Sequence, residues 1–186
     1  MFPRLFLLNV AMMTDPIVLR PLDHKRVRQA YPLVQAVLPD TPLVRWTAFA
    51  HAYVGSSKAS GVRGLMAAEN EPGYILALFT YQTRDELTLG RTLKVGDLLV
   101  ADFAGRDKTV GYLIDGIETM AHLGGCHAIA VDLDVAFSGG SPTCGWSLPL
   151  FERQGFLALN ASQCRKIVQV SRPRLAPDLT DRMPHG

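Results

Sequence analysis

The sequence predicts an α/β domain of the α+β kind, with one mixed, twisted central sheet flanked by helices. Three observations lead there. The hydrophobic spacing along the chain reads strand, two helices, three strands, helix, strand, helix, two strands. The 186 residues are 48% hydrophobic, which suits one domain with one sizeable core. Near the end, Pro149-Leu150-Phe151-Glu152-Arg153-Gln154 closes on Gly155-Phe156. That run is an amphipathic helix end, a glycine stop and an aromatic that opens a strand.

Each element has its own signal. Ile17 to Pro21 reads as a short strand, and Asp23 then starts a helix with Val27, Ala30, Tyr31, Val34 and Leu38 at helical spacing. Pro39 and Pro42 interrupt it, and a second helix runs from Leu43 to Tyr53. Gly64 to Ala68 and Tyr74 to Tyr81 are neighbouring strands joined around Glu69-Asn70-Glu71-Pro72-Gly73. A longer strand covers about Leu93 to Phe103. A helix from about Asp107 to Leu123 puts Val110, Leu113, Ile114, Ile117, Met120 and Ala121 on one face, and Gly124-Gly125 stops it. Ala128 to Leu133 is a strand, Phe137 to Thr143 a polar loop, and the helix ending at Gln154 precedes strands Phe156–Leu159 and Lys166–Val170.

Composition excludes several function classes. A net charge of +2 is too mild for a nucleic-acid surface. No segment is long enough to span a membrane. Three cysteines (Cys126, Cys144, Cys164) lack metal-like spacing, and a reduced cytoplasmic protein is the simplest reading. The histidines form no metal signature, and neither a Gly-x-Ser-x-Gly elbow nor a Walker loop occurs. Residues 1–13 read as an N-terminal extension or tail, with Met13 an alternative start. The apolar run Leu5 to Val10 is short for a signal peptide and no small-residue cleavage site follows it. Residues 14–171 form the domain, and 172–186, rich in proline and charge, a flexible tail.

Two regions carry a resemblance. Leu150-Phe151-Glu152-Arg153-Gln154-Gly155-Phe156 is similar to the last helix of the GNAT acyltransferase superfamily, where a Leu-Tyr-Glu-Lys-x-Gly-Phe type sequence is common. Leu99 to Gly111 resembles that family's strand, loop and helix start, which carries Arg/Gln-x-x-Gly-x-Gly/Ala. Arg106 takes the first place, Thr109 stands at the first glycine, and Gly111 keeps the second. The element order from Ile17 to Ser171 is also the GNAT order. The resemblance implies acetyl-coenzyme A as cosubstrate, with its diphosphate at Arg106, Asp107, Lys108, Thr109, Val110 and Gly111. The chemistry there needs backbone N–H groups at a helix N-terminus. It also implies that the pantetheine arm pairs with backbone freed at Ala101, Asp102 and Phe103. Two residues depart from the pattern: Thr109 is β-branched where glycine is usual, and Asp107 sets a carboxylate beside the phosphate site.

Acetylation needs a neutral amine, hence a base. The family often has an acidic residue four positions before the end of the hydrophobic strand run, which here is Asp97. Asp102, Asp132 and Glu69 are the other carboxylates on or beside strands. The family's proton donor to the departing thiolate is a tyrosine at the position of Phe151; the resemblance thus puts Phe151 among the cofactor-binding residues, and Cys144, Ser147, Tyr112 or solvent must substitute as the donor. Phe151 otherwise packs in the core, as aromatics do. Trp46, Phe49 and Tyr53 are candidates to line an acceptor pocket. The leading expectation is transfer of an acetyl group to an amine of a small molecule or peptide. The alternative is a coenzyme A-binding or ligand-sensing module with little or no catalysis. The family's members often form homodimers, but no sequence feature fixes the oligomer.

Overall fold

A computed structural model describes residues 17–54, 63–100, 106–133, 147–160 and 162–168. They form β1 (Val18–Pro21), α1 (Tyr31–Val37), α2 (Leu43–Tyr53), β2 (Arg63–Glu69), β3 (Ile75–Glu86), β4 (Gly90–Val100), α3 (Arg106–Leu123), β5 (Ala128–Asp132), α4 (Ser147–Arg153), β6 (Leu157–Asn160) and β7 (Gln163–Ile167). One seven-stranded sheet runs in the order β1-β2-β3-β4-β5-β7-β6. The β4–β5 pair is parallel and the other pairs are antiparallel. The mixed sheet flanked by helices is the fold class that the sequence predicts.

The largest departures from the expected boundaries concern the first helix, the β3–β4 hairpin and the last strand. The first helix begins at Tyr31, not Asp23, although Val27 and Ala30 are buried as the spacing requires. Asp23 instead caps a turn, its Oδ1 accepting from the Arg26 N–H at 2.9 Å. Pro32 has no N–H to return to Arg28, so a helix running through both residues lacks a ladder bond; proline fits the first turn of a helix, where it sits. The third strand continues past Tyr81 to Glu86, because β3 and β4 form one long hairpin paired down to Glu86↔Gly90. The last strand lies at Gln163–Ile167, earlier than the expected Lys166–Val170, with Val131↔Cys164 fixing its register on β5.

The two sheet faces pack differently. Leu19, Ala68, Ala77 and Val100 follow one another across β1 to β4 on one face. There α3 approaches closely: a Cβ on Gly116 would lie 1.8 Å from Leu19 Cδ1. The α3 face made of Val110, Leu113, Ile114, Ile117 and Ala121 is fully buried, as its periodicity predicts. Helices α1 and α2 cover the opposite face, where Trp46 is buried and its Nε1–H donates to Val27 O at 2.7 Å.

Both glycine stops close in one way. After α4, Gly155 has φ 83°, Gly155 N–H donates to Glu152 O at 2.9 Å and Phe156 N–H to Phe151 O at 3.1 Å. The Phe151 and Phe156 rings meet edge to face, 5.2 Å apart. This is the left-handed Schellman stop with its hydrophobic contact. After α3, Gly125 and Cys126 repeat the bonds onto His122 O and Ala121 O.

Candidate functional site

Asp97 is where the sheet departs from regular pairing. Leu78 faces Leu99 and Thr80 faces Gly96, so one residue of β3 is matched by two of β4. This is a β-bulge, and Asp97 adopts φ 45° within it. Along β4, Leu93, Val95, Leu98 and Val100 remain buried, and the extra residue turns to the other face. There Thr80 Oγ1–H donates to Asp97 Oδ2 at 2.8 Å. The Thr80 hydroxyl is itself buried, so it fixes one carboxylate oxygen while the other faces an opening.

That opening is a cavity of about 330 Å³. Val34 contributes from α1, Leu38 and Thr41 from the connection, Arg45, Trp46 and Phe49 from α2, and Leu65, Leu78, Asp97 and Leu99 from the sheet. The Tyr31 hydroxyl donates to Thr41 O at 3.1 Å and holds the α1–α2 connection at its rim. The Tyr53 ring lies 5.0 Å from that of Phe49, tilted by 45°, but Tyr53 faces a different groove, beside Tyr81 and Lys94.

The sheet opens beside Asp97. The β4–β5 ladder runs from Thr92↔Ala128 to Val95↔Val131 and stops, and β4 continues through Gly96 to Val100 without β5. Parting of two central strands exposes backbone N–H and C=O groups to a ligand. Ala101, Asp102 and Phe103, where the resemblance puts the pantetheine contacts, lie outside the described residues.

A second cavity, about 380 Å³, lies between α3 and α4 and is lined by Lys108, Gly111, Ile114, Leu150, Arg153 and Gln154. Helix α3 starts at Arg106, so the amides without intrahelical partners are those of its first turn, including Asp107 and Lys108. By Gly111 the amide belongs to the helix ladder. What Gly111 offers is space: a Cβ there meets nothing within 4 Å and would stand in the cavity. Thr109 lies in regular helix, not in a left-handed turn, and its side chain, like that of Val110, is fully buried. Both therefore face the core, not a phosphate. Lys108 is exposed, with Nζ 5.9 Å from the Tyr112 ring centroid. An anion at this helix start meets open amides, the positive helix end and Lys108, which fits a diphosphate.

The other carboxylates stand elsewhere. Glu69 is buried and paired with Arg26. Asp132 ends β5, opposite Gln163, on the groove side with Tyr53 and Tyr81. Asp102 and Cys144 are outside the described residues. Ser147 opens α4. The Phe151 ring is fully buried against Phe156 and presents no surface to either cavity. Two thiols are held protonated. Burial, and then the Glu152 carboxylate, pushes Cys164 up to about 12, and burial raises Cys126 against the opposing pull of Arg91. Neither is a thiolate near neutral pH.

Sequence reasoning did not single out Thr80 or Arg45. Thr80 carries no local signal, because its role depends on cross-strand register. Arg45 had one: it is the lone permanently charged residue in Leu43–Tyr53.

No protein-family model matches the sequence. No curated protein matches it either. Solved structures do resemble it in fold. The polyamine N-acetyltransferase of Drosophila melanogaster is 15% identical, with 82% of this chain and 100% of that one covered at TM-score 0.58. The aminoglycoside N-acetyltransferase AAC(6')-Iy, in complex with the bisubstrate analogue CoA-S-monomethyl-acetylneamine, is 14% identical, with 87% and 100% covered at TM-score 0.60. Spermidine N-acetyltransferase from Vibrio cholerae, in complex with CoA and spermine, is 11% identical, with 81% and 95% covered at TM-score 0.56.

Proposed function

We propose, from the GNAT acetyltransferase fold that this chain adopts, that it is an acetyl-coenzyme A-dependent N-acetyltransferase acting on a small-molecule amine. One observation carries the proposal: Asp97 is turned by a bulge into a small cavity at the point where β4 leaves β5. A carboxylate held by Thr80 beside an open strand edge is a base next to a binding slot.

Acetyl-coenzyme A, when bound, supplies the acetyl group as an activated thioester. The protein's own contributions are positional and electrostatic. First-turn amides of α3 and Lys108 hold the diphosphate. The β5-side edge of Gly96–Val100, unpaired among the described residues, aligns the pantetheine arm. The apolar walls Trp46, Phe49, Leu78 and Leu99 seat the acceptor and exclude water. Asp97, directly or through a water, takes the proton that the amine gives up as its nitrogen bonds the acetyl carbon. The carbon–sulfur bond breaks, and the thiolate takes a proton from solvent, since Phe151 has none to give. A thiolate tolerates leaving unassisted.

Calorimetric titration with acetyl-coenzyme A tests the cofactor half. Binding is expected, and Gly111→Val, which projects into the α3–α4 cavity, should weaken it about tenfold or more, about 1.4 kcal/mol, without unfolding the domain. Unchanged affinity in the folded variant removes that site. A thiol-release screen over amines tests the transfer. The buried Phe151 favours a second reading, a coenzyme A-binding sensor with little turnover, which gains if the cofactor binds and no amine is acetylated.

A further inference from the structure

Resting on the acetyltransfer reading, we infer that the acceptor is a free amino acid with an apolar side chain, whose amine meets Asp97 and whose carboxylate meets Arg45. The cavity holds charges of both signs and little else that is polar. Among its lining residues Asp97 is the one carboxylate and Arg45 the one guanidinium. Their surroundings are aliphatic and aromatic, with Trp46 and Phe49 in contact at 6.1 Å between ring centroids. At about 330 Å³ the space is at the small end for ligand sites, which run from roughly 300 to 1,000 Å³.

A second, independent feature marks the Arg45 end for an anion. Arg45 lies in the first turn of α2, an 11-residue helix. Pro42 at its N-cap provides no side-chain hydrogen bond, and no acidic residue occupies the first turn. The first-turn amides of Leu43 and Val44 therefore have no intrahelical partner and no side-chain cap, and the positive end of the helix lies next to Arg45 in sequence. A planar fork of donors beside open amides suits a carboxylate.

The same pair of charges disfavours polycations. A polyamine satisfies Asp97 with one ammonium and brings a second positive charge toward Arg45, a like-charge repulsion that a carboxylate would turn into attraction. An amine without a carboxylate fills the apolar space but leaves Arg45 unused. An amino acid matches both ends.

The experiment compares L-phenylalanine, phenethylamine and spermidine, first by calorimetric binding to the full-length protein with and without coenzyme A, then as acceptors in thiol release. L-Phenylalanine should bind roughly 10- to 100-fold tighter than phenethylamine, the range for a hydrogen-bonded charge contact, and spermidine should be weakest. Arg45→Gln should cancel the difference by weakening L-phenylalanine while leaving phenethylamine unchanged. Equal binding of the two in the wild type, tightest binding of spermidine, an equal effect of Arg45→Gln on both, or no binding by any of them overturns the inference. The two readings fail separately. Acetyl-coenzyme A that does not bind, with Arg45-dependent amino-acid binding intact, sinks acetyl transfer and spares the pocket assignment. Acetylation of other amines but not of amino acids does the reverse.

Discussion

Replacing Gly155 by alanine separates backbone conformation from packing. The residue sits at φ 83°, where an L side chain crowds its own carbonyl. That conformation costs roughly 1–2 kcal/mol for alanine. Packing adds nothing: the nearest atoms to a built Cβ are Lys166 Cε at 3.8 Å and Nζ at 3.9 Å, ordinary contacts. Alanine also restricts the unfolded chain, which returns about 0.4–1 kcal/mol. The net loss is about 1 kcal/mol, or about 2–4 °C in Tm for a domain of this size. Gly155→Asn should lose less, because asparagine tolerates the left-handed region. The identical change at Gly111, inside α3 with no neighbour within 4 Å, should stabilise, since alanine exceeds glycine by about 1 kcal/mol in a helix interior. Thermal unfolding followed by circular dichroism reads all three variants. Gly155→Ala as stable as the wild type, or Gly155→Asn less stable than Gly155→Ala, would refute the argument.

Further expectations concern the site and the core. Asp97→Asn should cut turnover by about 100-fold or more while leaving the coenzyme A affinity measured by calorimetry unchanged; full activity would shift the base to another carboxylate. Phe151→Tyr puts a hydroxyl into the fully buried contact with Phe156 and should lower the unfolding free energy in urea by about 1–3 kcal/mol; a variant as stable as the wild type would show that the hydroxyl finds a partner. The Cys164 thiol, ordinarily near 9.0, is pushed up to about 12 in the fold, so its stabilising contribution is complete below pH 9 and is lost as pH rises toward 12. Over that window the wild type should lose stability relative to Cys164→Ala by up to about 1.4 kcal/mol per pH unit, and parallel pH profiles would show that the thiol does not resist ionisation.

What was legible in the sequence is local. The α4 stop needs only Gly155 and the aromatics on either side of it, and it forms as read. The α3 face follows from spacing within one helix, and α2 matches its expected limits, Leu43–Tyr53. What was not legible depends on distant pairing. The spacing of Val27, Ala30 and Val34 suits burial in successive turns as well as in a helix, so the start of α1 was misread. Asp97 was identified through the resemblance, as the acidic residue the family often carries at that place on the strand, yet nothing near it announces the bulge, which exists only against β3. Thr109 was placed at the diphosphate because the loop motif was aligned without knowing that α3 starts at Arg106. The Arg45 role requires α2 to lie over the sheet, and no local pattern encodes that.

The two-for-one match at Asp97 has a consequence for how chemistry was fitted to this strand. On the face of β4 that carries Val100, the buried positions are odd-numbered before the bulge (Leu93, Val95) and even-numbered after it (Leu98, Val100), while Thr92 and Leu99 are buried on the other face. Delete Asp97 in thought and the alternation becomes continuous: each of those side chains keeps its face and its neighbours. The carboxylate therefore occupies no place that the core needs. It behaves as an insertion, a residue threaded into a strand already complete without it, rather than one exchanged for a structural side chain. Fold and reactivity are thereby uncoupled at this point of the chain. Asparagine, which tolerates the left-handed backbone at φ 45°, can replace it at little cost to the sheet, while losing the residue outright would heal the ladder and silence the cavity together.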